Sequence, residues 1–254
     1  MVELVGVLNV TPDSFSDGGL FLDPEKAIKQ ADKLFADGAT LIDVGAESTK
    51  PNAIPLKTHE EWQRLEPVLD NLLNKYPGRI SLDSYHPETI VKAFGIGPVI
   101  VNDITGLNNQ KMLLAIEHLK PRLGKIIISH LPDMSIQQAH RLAPVSDINE
   151  VCDVLLAKAE TLMAMGFKRR QIILDPGIGF GKTMDLNREL LKFAELVPDY
   201  DVMIGYSRKR FLGEHRMELE PNLEAAKVAI RHGAKYLRVH DVAGHKRFLA
   251  EFIS

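Results

Sequence analysis

At 254 residues the chain can bury a sizeable core, and its length suits either one α/β barrel or two smaller domains. A formal charge of -3 with 26% charged residues leaves no basic excess to attract nucleic acid or a membrane surface. The one cysteine, Cys152, excludes an intramolecular disulfide and reads as a small hydrophobe in a helix rather than a nucleophile. No apolar run reaches the roughly 20 residues of a bilayer span, so a cytoplasmic setting is expected.

Val5 to Asn9 reads as a first strand, followed by the loop Thr11 to Gly19, rich in Asp, Ser and Gly, and a helix from Pro24 to Phe35 capped by Asp23. A second unit runs from Thr40 to Gly45, through the polar loop Glu47 to Pro51, into helical spacing from about Glu60 to Leu73. The third pairs Arg79 to Asp83 with Pro87 to Phe94, and the fourth pairs Val99 to Asp103 with a helix after Asn108. Ile126 to His130 is the fifth strand, and its long connection to a helix around Ile148 to Met165 fits either a binding wall or disorder. The sixth strand, Ile172 to Asp175, ends in Pro176-Gly177-Ile178-Gly179-Phe180-Gly181-Lys182 before a helix after Asp185. Val202 to Gly205 leads into Ser207-Arg208-Lys209-Arg210 and a helix near Leu223 to Arg231. Tyr236 to His240 and a closing helix to Ile253 make the eighth unit.

Eight strand-helix units without a Pro- or Gly-rich linker predict an α/β fold, a (β/α)8 TIM barrel of one domain over residues 1–254. An open doubly wound sheet is the alternative, and the strand count argues against it. In a barrel the carboxyl ends of the strands share one rim. That rim would gather Asn9, Asp43, Asp83, Asn102, His130, Asp175, Ser207, Lys209, Arg238 and His240.

Gly177, Gly179 and Gly181 before Lys182 miss the spacing of a nucleotide-phosphate loop and of a dinucleotide fingerprint, and instead let backbone approach a flat ligand, with Phe180 at its edge. Arg238 and His240 alternate on one strand face and suit an anionic group, although an internal ion pair is open for the arginine. The run Ser207 to Arg210 is either a solvated charge cluster or a phosphate site after the seventh strand. Asp83 and Asp175 are either helix caps or, with an amide, acceptors for a ring bearing several N–H groups. His240-Asp241 could be half of a metal site, but the histidines are otherwise scattered.

These motifs, in order and spacing, resemble the dihydropteroate synthase family almost end to end. The resemblance rests on Asn9 to Gly19, Asp43-Val44-Gly45 with Glu47-Ser48-Thr49, Asp83, Asn102-Asp103-Ile104, Leu174 to Lys182, Ser207-Arg208-Lys209 and Arg238 to Val242. It implies a homodimeric barrel that joins para-aminobenzoate to a dihydropterin diphosphate, with magnesium, on the route to folate. It further implies that Asp83, Asn102, Asp175, Phe180, Gly205 and Lys209 bind the pterin. Asn9, Arg238 and His240 would hold the diphosphate, with Asn9 also meeting magnesium. Thr49, Lys50, Phe180 and Ser207 would lie near the aminobenzoate. Asp13 and Asp17, on a lid with Phe15, would act in catalysis beside Asp83 and Lys209.

The chain departs from the family pattern at Ala46, Lys50, Asn52 and Ser129, and after His130, where no Gln-Gly follows. Lysine lacks the planar fork of arginine, so altered aminobenzoate or diphosphate handling is expected. Two other functions share the pterin motifs: a pterin-binding methyltransferase domain and a non-catalytic pterin-binding paralogue. The combination of Ser-Arg-Lys with Arg-Val-His-Asp argues for the synthase.

Overall fold

The computed structural model describes residues 2–11, 23–47 and 55–252. Strands β1 (Glu3–Asn9), β2 (Leu41–Gly45), β3 (Ile80–Asp83), β4 (Ile100–Asp103), β5 (Ile126–Ser129), β6 (Ile172–Asp175), β7 (Asp201–Ile204) and β8 (Tyr236–Val239) pair in sequence order. All pairs are parallel, and β8 closes on β1. The expected barrel is therefore the observed fold.

Helices α1 (Pro24–Ala36), α2 (Thr58–Lys75), α3 (Pro87–Ile96), α4 (Gln110–Leu119), α5 (Ile136–Ala139), α6 (Ile148–Ala164), α7 (Met184–Glu189), α8 (Leu219–Arg231) and α9 (Val242–Phe252) complete the units. The first helix starts as its sequence dictates: Asp23 accepts hydrogen bonds from the backbone N–H of Glu25 and Lys26, and Pro24 sets the first turn. No helix among the described residues is long and apolar enough to cross a membrane.

Strand parity separates two cores. Residues such as Ile42, Val44, Leu82, Val101, Ile128, Leu174 and Ile204 face outward and pack under the helices in one large cluster. Residues of opposite parity, Val5, Leu41, Ile100, Ile127, Ile173, Met203 and Tyr236, fill the barrel's interior and form a solid floor. Register then fixes what stands above that floor: Gly45 is level with Asp83, Asp83 with Asn102, and Ser129 with Asp175. Polar side chains of the inward parity must therefore crowd together at the carboxyl end.

The connection after β5 is an ordered wall, and the disorder alternative falls. Ser135 caps α5, the backbone N–H of Gly181 donates to Ala139 O at 2.6 Å, and Val145 bridges to Lys182. Leu131, Ile136, Ala139 and Phe180 bury one another between this wall and the loop after β6. Cys152 is half-buried in α6.

Candidate active site

The site begins with a buried acid that the strand pattern places but does not mark out. Asp43 is inward on β2, fully buried, and accepts from Asn102 Nδ2 at 3.1 and 3.2 Å. It also accepts from Arg238 Nε at 2.6 Å, while Arg238 Nη2 donates to Asp83 Oδ2 at 3.0 Å. One guanidinium thus binds two carboxylates from two other strands. Burial lowers the tendency of Arg238 to stay charged, but Asp43 and Asp83 more than offset it and its pKa lies above the usual value.

This geometry bears out the internal ion pair left open for Arg238 in the sequence. Nε and Nη2 are engaged with the two acids, and the guanidinium's other N–H groups are what remain for a ligand. Asp83, likewise, is not a helix cap: α3 starts after His86, and the carboxyl turns into the barrel toward Arg238. Burial, with the charge of Asp43 beside it, pushes the Asp83 carboxyl up to about 7 against the pull of Arg238. Near neutral pH it is present both as acid and as base.

Because Asp43 engages the amide nitrogen of Asn102, the amide oxygen is turned the other way. That Oδ1 is buried and has no hydrogen-bond partner among the described residues. A buried carboxamide oxygen without a donor is costly, by about 1–3 kcal/mol, and it is placed to accept from a ligand N–H. Asp175 stands on β6 across the barrel. The backbone N–H of Gly177 donates to its Oδ1 at 2.7 Å, and burial raises its pKa against the field of Lys209 and Arg238.

Lys209 is drawn in from the charge run, whereas Arg208 and Arg210 beside it are exposed. Its ammonium donates to Ile178 O and lies 5.0 Å from the centre of the Phe180 ring. Burial pulls it down to about 8, with Asp175 opposing that shift. Phe180 itself is nearly buried beside Leu131 and Ile136, with the His140 ring 5.1 Å away.

Gly205 supplies the missing bulk. A Cβ there would lie 3.8 Å from Asp175 Oδ2 and 3.9 Å from the Arg238 side chain, so glycine leaves a slot open between them. Asp83, Asn102, Asp175, Gly205, Lys209 and Arg238 therefore line one bowl above the barrel floor. Several acceptors with one cation beside them fit a flat heterocycle carrying an amidine-like edge and a ring carbonyl.

At the rim, His240 Nδ1 is 2.9 Å from Ser207 Oγ. Burial, then Arg208 and Arg238, push the imidazole down to about 3, so it is a neutral hydrogen-bonding ring near pH 7 and not a fixed cation. Ser207 is buried and engaged with this ring. Asn9 is exposed at the end of β1, level with Gly45. Asp13, Phe15, Asp17, Thr49 and Lys50 lie outside the described residues.

Two contributors stand outside the ligand set expected from sequence. Asp43 had a visible signal, since it is a charged residue inside an apolar strand, between Ile42 and Val44. Lys182 had none beyond its place after the glycines. It is buried, and its ammonium donates to three backbone carbonyls.

A closed parallel barrel that gathers carboxylates and an amide at its carboxyl end is an arrangement suited to a pterin-binding enzyme. The family model described as pterin binding enzyme matches residues 5–240, and the chain belongs to that family. Its relatives include dihydropteroate synthases. The chain is similar to that of Streptococcus pyogenes serotype M3, at 36% identity over 97% of this chain and 93% of that enzyme. It is also similar to that of Haemophilus influenzae, at 33% identity over 95% and 89%. Among solved structures, the Xanthomonas albilineans dihydropteroate synthase with 4-aminobenzoic acid matches with a TM-score of 0.88 at 32% identity, covering 99% of this chain and 92% of that one. The same enzyme in complex with 7,8-dihydropteroate matches with a TM-score of 0.84 at 31% identity, with the same coverage.

Proposed function

We propose that the bowl binds 6-hydroxymethyl-7,8-dihydropterin diphosphate and that the enzyme condenses it with para-aminobenzoate, giving 7,8-dihydropteroate and diphosphate. The activity is that of a transferase of folate biosynthesis, the function its relatives carry. The observation that carries this reading is the unpartnered Asn102 oxygen, fixed by Asp43 and set in one bowl with Asp83, Asp175 and Lys209. Asp175 accepts from the amidine edge, Lys209 donates toward the ring carbonyl, and Asp83 and Asn102 meet the remaining ring nitrogens.

The reaction breaks the bond between the pterin methylene and the diphosphate oxygen, and the electron pair leaves with the diphosphate. The aniline nitrogen then forms the new C–N bond and releases its proton. Positive charge developing on the methylene is shared by the electron-rich ring, whose binding edge faces Asp175 and Asp83. The departing anion meets the outward N–H groups of Arg238 and the neutral His240 ring, both donors requiring no proton transfer. Holding both substrates above one floor removes much of the entropic cost of their encounter. Asp13 and Asp17 are assigned to the reacting carbon, and Thr49, Lys50, Phe180 and Ser207 to the aminobenzoate.

Magnesium is the proposed cofactor. Among the described residues no three His, Cys, Asp or Glu side chains cluster to hold a metal. The single carboxamide of Asn9 fits an ion that typically takes one or two protein ligands and leans on phosphate and water for the rest. When bound, it neutralises charge on the diphosphate. A homodimer and a cytoplasmic setting complete the proposal, the first tested by light scattering of the purified protein.

The decisive assay supplies both substrates with magnesium and follows diphosphate release and aminobenzoate consumption together. Release in a 1:1 ratio with amine loss supports the synthase. Pterin binding without release supports the non-catalytic paralogue, and methyl transfer from a methylated reduced pterin, supplied with a methyl acceptor in a separate assay, supports the methyltransferase domain.

A further inference from the structure

The loop after β6 is held from beneath by a cation that takes no part in the bowl. Lys182 is 5% exposed, and among the described residues no carboxylate lies within ion-pair distance of its ammonium. Its Nζ instead donates to Phe180 O at 2.9 Å, Gly177 O at 3.0 Å and His130 O at 3.2 Å. Three N–H groups meet three carbonyls, which uses the full donor capacity of an ammonium and leaves none for a ligand. Burial pulls the group down to about 7, with the charge of Asp175 opposing that shift.

The arrangement has a direction. Gly177, Gly179 and Gly181 all have positive φ, at 65°, 86° and 63°. At Gly177 the conformation is also forced by space, because a Cβ would fall 2.1 Å from His130 O. This backbone turns the Gly177 and Phe180 carbonyls toward Lys182 and the Ile178 carbonyl toward Lys209. The Gly177 N–H, one atom pair away from the cage, is the group that binds Asp175 Oδ1 at 2.7 Å. Lys182 also ties the loop to the end of β5 through His130, while its backbone bridges to Val145.

We propose that Lys182 is a positioning residue whose carbonyl cage fixes the loop 176–181, so that Asp175 keeps one oxygen occupied by Gly177 and presents the other to the pterin. This rests on the pterin reading of Asp175 given above. Lys182 touches neither substrate, and its effect on binding passes through Asp175. Methionine at 182 would keep the apolar stem and remove every donor. Arginine would keep the charge, but its planar fork does not converge three N–H groups on one point.

The test is a double-mutant cycle on pterin binding, with Lys182→Met, Asp175→Asn and the double variant titrated calorimetrically with 6-hydroxymethylpterin. The wild type is titrated first. If it binds no pterin, the bowl's assignment fails and this inference fails with it. With binding by the wild type, Lys182→Met is expected to weaken the dissociation constant by about tenfold or more, and by less than about threefold on the Asp175→Asn background. An equal factor on both backgrounds, or an unchanged constant in the single variant, overturns the assignment of Lys182 while leaving the pterin reading intact. Lys182→Gln replaces Lys182→Met in the cycle if the methionine variant does not accumulate as folded protein.

Discussion

Asp43→Asn and Asp83→Asn both remove one carboxylate from Arg238, yet the geometry predicts unequal losses of stability. Asp43 is fully buried and holds Arg238 at 2.6 Å while fixing the Asn102 amide. Breaking a fully buried pair costs about 3–5 kcal/mol, but here that is an upper limit. The Arg238 side chain is 22% exposed and keeps Asp83, and the repulsion between the two acids is relieved. The net expectation for Asp43→Asn is a loss of about 2 kcal/mol at pH 7. Asp83 behaves otherwise, since its carboxyl is about half protonated at that pH. Asparagine there costs under about 1 kcal/mol while removing turnover.

The linkage has a defined sign. The folded Asp83 carboxyl titrates near 7 and the free one near 3.8, so its stabilising contribution is present at low pH and declines as pH rises between those values. Wild type should therefore lose stability relative to Asp83→Asn over that window. Urea unfolding of the three proteins at pH 5 and pH 7 measures this directly. A larger loss in Asp83→Asn than in Asp43→Asn at pH 7 would refute the account of how Arg238 is shared.

Two further outcomes follow from other parts of the bowl. Gly205→Ala is expected to leave stability within about 0.5 kcal/mol, because its Cβ meets only ordinary contacts, while overpacking against a bound ring weakens pterin affinity by about 1–3 kcal/mol. Thermal melting and pterin titration separate the two, and a variant with native affinity would show that the slot is not used. His130 is buried with its pKa pushed down to about 3, by burial first and then by Lys182 and Lys158. Its contribution is complete above the free value of 6.5 and is lost as pH falls toward 3. Relative to His130→Gln, wild type should lose about 3 kcal/mol between pH 7 and pH 4.5. Parallel pH dependences of the two proteins in urea melts would contradict it.

The barrel was legible because each strand is an apolar run ended by a polar residue and followed by helical spacing. The pairing order follows once eight such units close. Inward parity could be read only where a polar residue broke the run, as Asp43 does between Ile42 and Val44. Which cation meets which acid was not legible, since Arg238 reaches partners 155 and 195 positions away and local sequence carries no trace of the choice. The charge of His240 also escaped sequence reasoning, because a histidine beside arginines on a strand end does not announce its desolvation. Lys182 had no role assigned from sequence, and only the turned carbonyls of that loop show its buried place.

The most direct measurement is a crystal structure of the enzyme with a bound pterin. The account predicts the ring in the slot beside Gly205, with Asp175 and Asn102 Oδ1 each accepting a hydrogen bond from it and Lys209 on its carbonyl side. A pterin seated elsewhere, with the Asn102 oxygen still unpartnered, would contradict the central claim.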